Sequence, residues 1–234
     1  LALQTTDGYI KAIDPMWGGV FVKAFHKSPN LPKRFEQLAA VPEKRISNQA
    51  NALVAFSHAY HITASDKYLL AIDEVDRFLQ KWMMHEDGTF YTSQEDDPPN
   101  LSDNIGTIDY WLLDSEEERL KYGVPPIDHA VYTDKNAQVI IAYAQAYEAT
   151  GRQRYLDIAI RTTRSLIKSR MQSENWILQT VDSKTTHNDR RMRPLVVDKK
   201  PFLSAQAWFG SALLSLYSSS GNEEWLKRAL RLAN

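Results

Sequence analysis

The sequence predicts an all-α fold of antiparallel helical hairpins stacked side by side. Three observations carry that expectation. First, one helix-turn-helix unit occurs three times. The run from Asn51 to Tyr60 leads to Tyr68-Leu69, that from Gln138 to Tyr147 leads to Tyr155-Leu156, and that from Trp208 to Tyr217 leads to Trp225-Leu226. Tyr60 and Tyr68 map onto Tyr147 and Tyr155 at a spacing of 87 residues, and these onto Tyr217 and Trp225 at a spacing of 70. A unit that cannot bury its apolar face alone stacks on its neighbours around a continuous core. Second, apolar residues follow the helical period: Ala52, Ala55, Phe56, Ala59 and Tyr60 share one face. Third, turns inside each unit are short and links between units are long, the alternation of a hairpin array.

Taken in order, residues 2–13 read as the end of a helix, stopped by Asp14-Pro15 and Gly18-Gly19. Residues 20–45 are loop-like, with Pro29, Pro32 and Pro42. The first hairpin spans helices 47–63 and 66–84, with Ser47 as its candidate N-cap. The stripe of its second helix is Leu69, Ile72, Val75, Leu79, Trp82 and Met83. The second hairpin spans 135–149 and 153–171, and the third 203–219 and 222–233, with Asn222 as N-cap. Gly151 and Gly221 suit a left-handed helix end, which a Cβ disfavours. Ala64 holds the same place in the first hairpin, so that turn either differs or carries about 1 kcal/mol of strain.

The links 14–46, 85–133 and 172–202 all leave the array on one side. They are therefore expected to converge on one rim, at the N-terminal ends of the first helix of each hairpin. Those ends carry free N–H groups and a positive dipole, suited to anionic or hydroxyl-rich ligands. Three link segments echo one another: Trp17-Gly18-Gly19-Val20-Phe21, Asp87-Gly88-Thr89-Phe90-Tyr91 and Glu174-Asn175-Trp176-Ile177-Leu178. Gly88 and Asn175 align, and both residue types tolerate positive φ. Each echo reads as a helix stop followed by a short extended piece carrying an aromatic toward the rim.

Composition sets limits on function. The net charge of −1 gives no electrostatic case for nucleic acid or an anionic membrane surface. No apolar run approaches the roughly 20 residues of a membrane span. The absence of Cys removes disulfides, thiolate metal sites and thiol redox chemistry from this segment. No His-x-x-x-His pair, phosphate loop or Gly-x-Ser-x-Gly elbow is present, so neither a metal nor another cofactor is expected. The chain opens on Leu1-Ala2-Leu3-Gln4, without an initiator Met or a signal-peptide layout. It is read as one domain segment over 1–234, cut from a longer protein, with any N-terminal signal outside view; the segment itself favours a cytoplasmic location without fixing one.

Asp14-Pro15-Met16-Trp17-Gly18-Gly19-Val20 resembles the "DPxxGG(V/F)" segment of the spermatogenesis-associated thioredoxin-domain proteins. The stretch from Gly88 to Asp97 resembles that family's "GGFY(S/T)(A/S)(E/Q)DAD", with Asp96 in place of the central Ala. Residues 128–151 resemble the start of a later inner helix and its hairpin, and the family's "APKFP" is absent. The resemblance implies part of an α/α six-hairpin toroid, the scaffold of N-acylglucosamine 2-epimerases and many glycosidases. It also implies a thioredoxin-like domain outside this chain, to which any redox role would belong. A closed toroid needs about twelve helices and this sequence offers about seven, so the open side of the array is expected to expose apolar surface.

Candidate chemistry gathers in the links. Glu95, Asp96 and Asp97 follow an aromatic pair, and a carboxylate pair can supply acid and base to a glycosidic bond or a sugar carbon. The plainer alternative is a solvated acidic loop before Pro98-Pro99. His129, beside Asp128, Tyr132 and Asp134, is a candidate proton shuttle; the alternative is a loop histidine bonded to a helix end. His58 and His61 read as structural, and His85 and Glu86 close an outer helix. Trp17, Tyr91, Tyr132, Trp176 and Trp208 can form a stacking wall for sugar rings, with Gln94, Asp97 and Asp134 as polar contacts, or else simply fill core. The basic run from Lys184 through Arg190, Arg191 and Arg193 to Lys200 reads as a solvated loop, and 114–118 as the first turn of a surface helix. The leading expectation is a carbohydrate-active or carbohydrate-binding domain of epimerase or glycosidase type. The alternative is a non-catalytic scaffold that docks the thioredoxin-like domain or a protein partner.

Overall fold

The computed structural model describes residues 2–23, 41–101, 105–173, 175–181 and 201–233. Glu174 and the basic run from Lys184 to Lys200 lie outside the described residues. A short helix α1 (Ala2–Ile10) precedes the first hairpin, α2 (Ile46–Thr63) and α3 (Asp66–Phe78). A π-helical turn, Leu79–Met83, extends α3. The link that follows carries two short helices, α4 (Thr107–Trp111) and α5 (Glu116–Tyr122). Hairpin two is α6 (Thr133–Thr150) with α7 (Gln153–Arg170), and hairpin three is α8 (Leu203–Ser220) with α9 (Glu223–Leu232). Among the described residues no helix is long and apolar enough to cross a membrane.

The three first helices form one layer. α6 packs between α2 and α8, while α3, α7 and α9 each lie against the partner of their own hairpin. Composition explains the layering. α6 buries Ala137, Ala142, Ala144 and Ala146, small residues that let helices approach on several sides. α3 is instead one-sided: Ile72, Val75, Leu79 and Met83 are buried, and Trp82 packs from the edge. Layers and hairpins are tied together by charge. Arg152, at the N-cap of α7, and Arg154 within it pair with Asp73 and Asp76 of α3, and Tyr143 of α6 donates to Asp76 Oδ1 at 2.8 Å.

A second, aromatic core sits outside this layer. Trp17, Phe21, Tyr110 and Trp111 meet there at ring separations of 5.2–6.4 Å, with Trp82 closing one side 5.1 Å from Trp17. Trp17 is wholly buried and donates Nε1 to Glu116 at 3.0 Å. It therefore fills core and is not part of an open stacking wall. The preceding turn needs its glycines, because a Cβ on Gly18 would sit 2.2 Å from the Glu74 carbonyl oxygen.

Hairpin turns follow one pattern. The N–H groups of Ala64, Gly151 and Gly221 return to the carbonyls of Tyr60, Tyr147 and Tyr217. All three residues are left-handed, with φ of 51°, 70° and 67°. Ala64 is thus the strained copy rather than a different turn. Ala64→Gly should raise stability by up to about 1 kcal/mol, while Gly151→Ala and Gly221→Ala should each cost about that much. No atom lies within 4 Å of the Cβ position at Gly151 or Gly221, so urea midpoints of these variants measure φ strain alone.

Several boundaries differ from expectation. Ser47 is not a cap, since α2 begins at Ile46 behind extended Arg45 with no side-chain cap. Asn222 does cap α9, accepting from the Glu224 N–H at 3.0 Å. His58 and His61 are exposed on α2 rather than packed. Leu203, Trp208 and Leu214 of α8 and Leu230 of α9 are exposed apolar side chains, at 83%, 42%, 48% and 56%.

Candidate functional site

One device, repeated three times, builds the rim. Four residues into each inner helix stands a side-chain amide: Gln49, Asn136 and Gln206. Each grips the N–H and the carbonyl of one residue in the preceding link. Gln49 accepts from the Val20 N–H at 2.7 Å and donates to its carbonyl at 2.7 Å. Asn136 does the same to Phe90, at 2.7 and 3.0 Å, and Gln206 to Ile177, at 3.0 and 2.6 Å. Each gripped residue also bridges back to the end of the helix before it, in the pairs Ile13–Val20, Met84–Phe90 and Met171–Ile177. Backbone groups that leave a helix need partners when buried, and here a side-chain amide substitutes for a strand. These clamps hold all three links at the N-terminal end of the inner helices.

A three-stranded antiparallel ladder joins two of the links. β1 (Lys44–Arg45) pairs with β2 (Ser93–Gln94), and β2 with β3 (Ile127–Asp128). Opposed residues share a face. Arg45, Ser93 and Asp128 are on one, and Lys44, Gln94 and Ile127 on the other. The Thr92 N–H donates to the Asp128 carbonyl and the Glu95 N–H to that of Pro126. Residues 90–97 and 126–133 therefore lie on the same end of the stack. The third link joins them through the Thr133 N–H, which donates to the Gln179 carbonyl at 2.9 Å.

Beneath the ladder lies a buried charge cluster. Lys44 donates to Asp14 Oδ2 at 2.7 Å and to the Gly18 carbonyl at 2.9 Å. Arg119 donates to both oxygens of the same carboxylate at 3.0 and 2.9 Å, and to the Trp111 carbonyl at 2.6 Å. All three charged side chains are at most 1% exposed. Burial alone would raise the Asp14 carboxyl, but the two cations outweigh it and hold it below its ordinary value. Burial pushes the Lys44 ammonium down to about 8, despite Asp14. Phe21, Phe78 and Trp111 offer their rings to Lys44 at 4.5–5.2 Å.

The acidic loop leaves the ladder at Glu95. Trp111 Nε1 donates to the Asp96 carbonyl at 2.7 Å, and Thr107 donates its hydroxyl to Asp97. The Asp96 carboxyl is raised, first by burial and then by the charges of Asp97 and Glu43. A half-buried carboxyl raised in this way suits an acid that carries a proton closer to neutral pH.

His129 faces a different opening. A cleft of about 320 Å³ is lined by His85, Asp87, Tyr91, His129, Arg170 and neighbouring residues. The Tyr91 ring lies 4.4 Å from that of His129 and 5.6 Å from that of His85. Burial raises the Tyr91 phenol, aided by Asp87 and Glu86. Among the described residues its walls include Tyr91 and His129 but none of Glu95, Asp96 and Asp97. The remaining candidates scatter. Gln94 is fully enclosed, with neither amide atom bonded, and so does not reach a ligand surface. Asp134 accepts from Gln179 Nε2 at 2.7 Å, and Tyr132 precedes α6 with a phenol raised by burial. Trp176 is half-buried in β4 (Trp176–Ile177), and Trp208 is exposed on α8. Among the described residues no group of three or more metal-binding side chains is placed to hold an ion.

Sequence reasoning passed over the amide clamps, the Asp14–Lys44–Arg119 cluster and Arg170. The clamps did leave a signal: Gln49, Asn136 and Gln206 sit at the 87- and 70-residue spacings of the repeat. The cluster left none, because its members are 30 and 105 residues apart along the chain.

No family model matches this chain, and no curated protein matches it. Solved structures do. A cellobiose 2-epimerase from Bacillus thermoamylovorans superposes with a TM-score of 0.67 at 17% identity, over 99% of this chain and 52% of that one. A D-mannose isomerase gives 0.66 at 17% identity, over 98% and 50%. A family 76 α-mannanase from Bacteroides thetaiotaomicron gives 0.58 at 13% identity, over 93% and 44%. The fold is thus that of an α/α toroid of the six-hairpin type, and the chain spans about half the length of these structures.

Proposed function

We propose that this chain is a sugar-processing toroid domain that works by proton transfer at the rim, with Asp96 as the acid. The observation that carries this reading is the raised Asp96 carboxyl on a loop pinned at the N-terminal ends of the inner helices. Its fold neighbours described as an epimerase, an isomerase and a mannanase support it. In an epimerase or isomerase a base takes the proton from the carbon beside a sugar carbonyl and an acid returns one. Glu95, beside Asp96, is the candidate base, since His129 opens on the Tyr91 cleft rather than toward residues 95–97. In a glycosidase Asp96 would instead protonate the leaving oxygen.

The test is proton exchange. The protein is incubated in D2O with mannose, glucose, cellobiose or N-acetylglucosamine, and deuterium entry at C2 is followed by proton NMR. Release of reducing ends from α-mannan reports the glycosidase variant of the reading. Asp96→Asn should lower the rate by about 10²- to 10⁴-fold, the usual worth of a positioned acid. If Asp96→Asn and Glu95→Gln both retain wild-type kcat, the acidic loop is not the centre.

A second reading, a docking scaffold without catalysis, draws on the exposed apolar side chains of α8 and α9. Absence of both exchange and mannan cleavage would favour it. Either reading places the domain beside a thioredoxin-like one, as the resemblance in residues 14–20 and 88–97 implies; the coding sequence flanking this segment tests that.

A further inference from the structure

Arg170, the last residue of α7, is only 5% exposed and lines the cleft that holds Tyr91 and His129. A guanidinium offers five N–H donors. Those of Arg170 reach Ser169 Oγ at 2.8 Å and, weakly, the Val131 carbonyl at 3.3 Å. Its buried Nε has no hydrogen-bond partner among the described residues. Among the described residues no carboxylate lies within ion-pair distance of it, whereas Arg119, buried more deeply and also with an unbonded Nε, has both oxygens of Asp14.

Asp87 is a carboxylate lining the cleft, and its Oδ1 is engaged elsewhere. Oδ1 accepts from the Thr89 N–H at 2.8 Å and the Thr89 hydroxyl at 2.7 Å, and lies 3.0 Å from His85 Nδ1. A buried cation with no carboxylate in contact is among the costliest groups a fold can hold, and the Asp87 charge in the same cleft offsets only part of that burial cost. Standing at a helix C-terminus eases that cost only in part. What the site lacks is an oxyanion with two acceptor oxygens, which a guanidinium fork matches.

We infer that this cleft binds the phosphate or carboxylate group of a small ligand on Arg170, with the rest of the ligand against Tyr91 and His129. The cleft's volume of about 320 Å³ suits a ligand of monosaccharide size, such as a sugar phosphate or a uronic acid. The inference stands apart from the proton-transfer reading, since it needs only the cleft and concerns binding rather than turnover.

The test uses the chain labelled with ¹⁵N and titrated at constant ionic strength with inorganic phosphate, acetate or chloride. The Arg170 side-chain Nε–H signal should shift saturably with phosphate, acetate or both, along with the backbone signals of Val131 and Tyr91. Chloride should leave it in place. A response to one oxyanion but not the other identifies which group the site takes. Arg170→Gln should weaken the saturable shift at Tyr91 at least about tenfold. Because that variant removes a buried side chain, the wild-type Nε–H signal decides the matter if it fails to fold. An Nε–H signal that neither oxyanion moves, or shifts confined to exposed lysines and arginines, would overturn the inference.

Discussion

Asp14→Asn should destabilise the fold by about 3–5 kcal/mol, the usual result of stranding buried charge. The amide keeps the shape of the carboxylate but not its charge, leaving Lys44 and Arg119 as two cations with no buried counter-ion. Lys44→Met should cost much less, because it removes the excess cation and leaves Arg119 on both oxygens of Asp14. Urea unfolding of the two variants gives that ordering directly, provided the m values stay equal. The reverse order would mean that the Lys44 bond to Gly18, not charge balance, holds the turn together.

The same cluster sets a pH dependence. The Asp14 carboxyl is lowered in the fold, so its contribution is complete above the ordinary carboxylate range and is lost as pH falls through and below that range. The Lys44 ammonium is lowered to about 8 from an ordinary 10.5. Between those values the unfolded chain holds the extra proton, so the Lys44 contribution to stability rises with pH across that window. Tyr110 and Tyr143 oppose it at the upper end, since burial raises both phenols and the unfolded chain ionises first. Stability should therefore climb above pH 8 and turn down near 10, and Lys44→Met should abolish the climb while keeping the downturn.

The hairpins were legible because they are periodic. Tyr60, Tyr147 and Tyr217 announced the repeat, and each turned out to accept from the N–H of its helix's left-handed cap. The convergence of the links was legible as well, because chain direction alone forces it. What the sequence did not disclose was pairing across distance. Arg119 opens no motif, and only the approach of α5 to the Asp14 turn makes it the counter-ion. Trp17 looked like a ligand platform because aromatic residues in links carry no mark separating cavity from core. The π turn at Leu79–Met83 has no local signal such as Pro or Gly, and the helical period simply runs through it. The acidic loop and His129 were both placed on the rim, as chain direction required. Whether they face one opening depends on strand register: Asp128 stands opposite Ser93, and His129 follows it toward Tyr91 and away from residues 95–97.

Asn136→Ala should cost about 2–6 kcal/mol, since it strips the partners from both the buried N–H and the buried carbonyl of Phe90 and each unpaired buried group costs about 1–3 kcal/mol. Asn136 is wholly enclosed and Phe90 is 1% exposed, so water does not readily replace the lost bonds. The same argument ranks the three clamps. Gln49 is equally enclosed, and Gln49→Ala should match Asn136→Ala. Gln206 is only half-buried, so Gln206→Ala should cost nearer 1 kcal/mol because solvent can reach the freed groups. The Asn136 clamp also fixes where the acidic loop begins, five residues before Glu95. Its loss should therefore speed hydrogen exchange at the Phe90 amide far more than at amides in the middle of α7. Uniform acceleration across the hairpins would show that Asn136 stabilises the stack as a whole rather than anchoring this link. Local acceleration, joined to a fall in any activity that also depends on Asp96, would tie the repeat geometry to the placement of the acid.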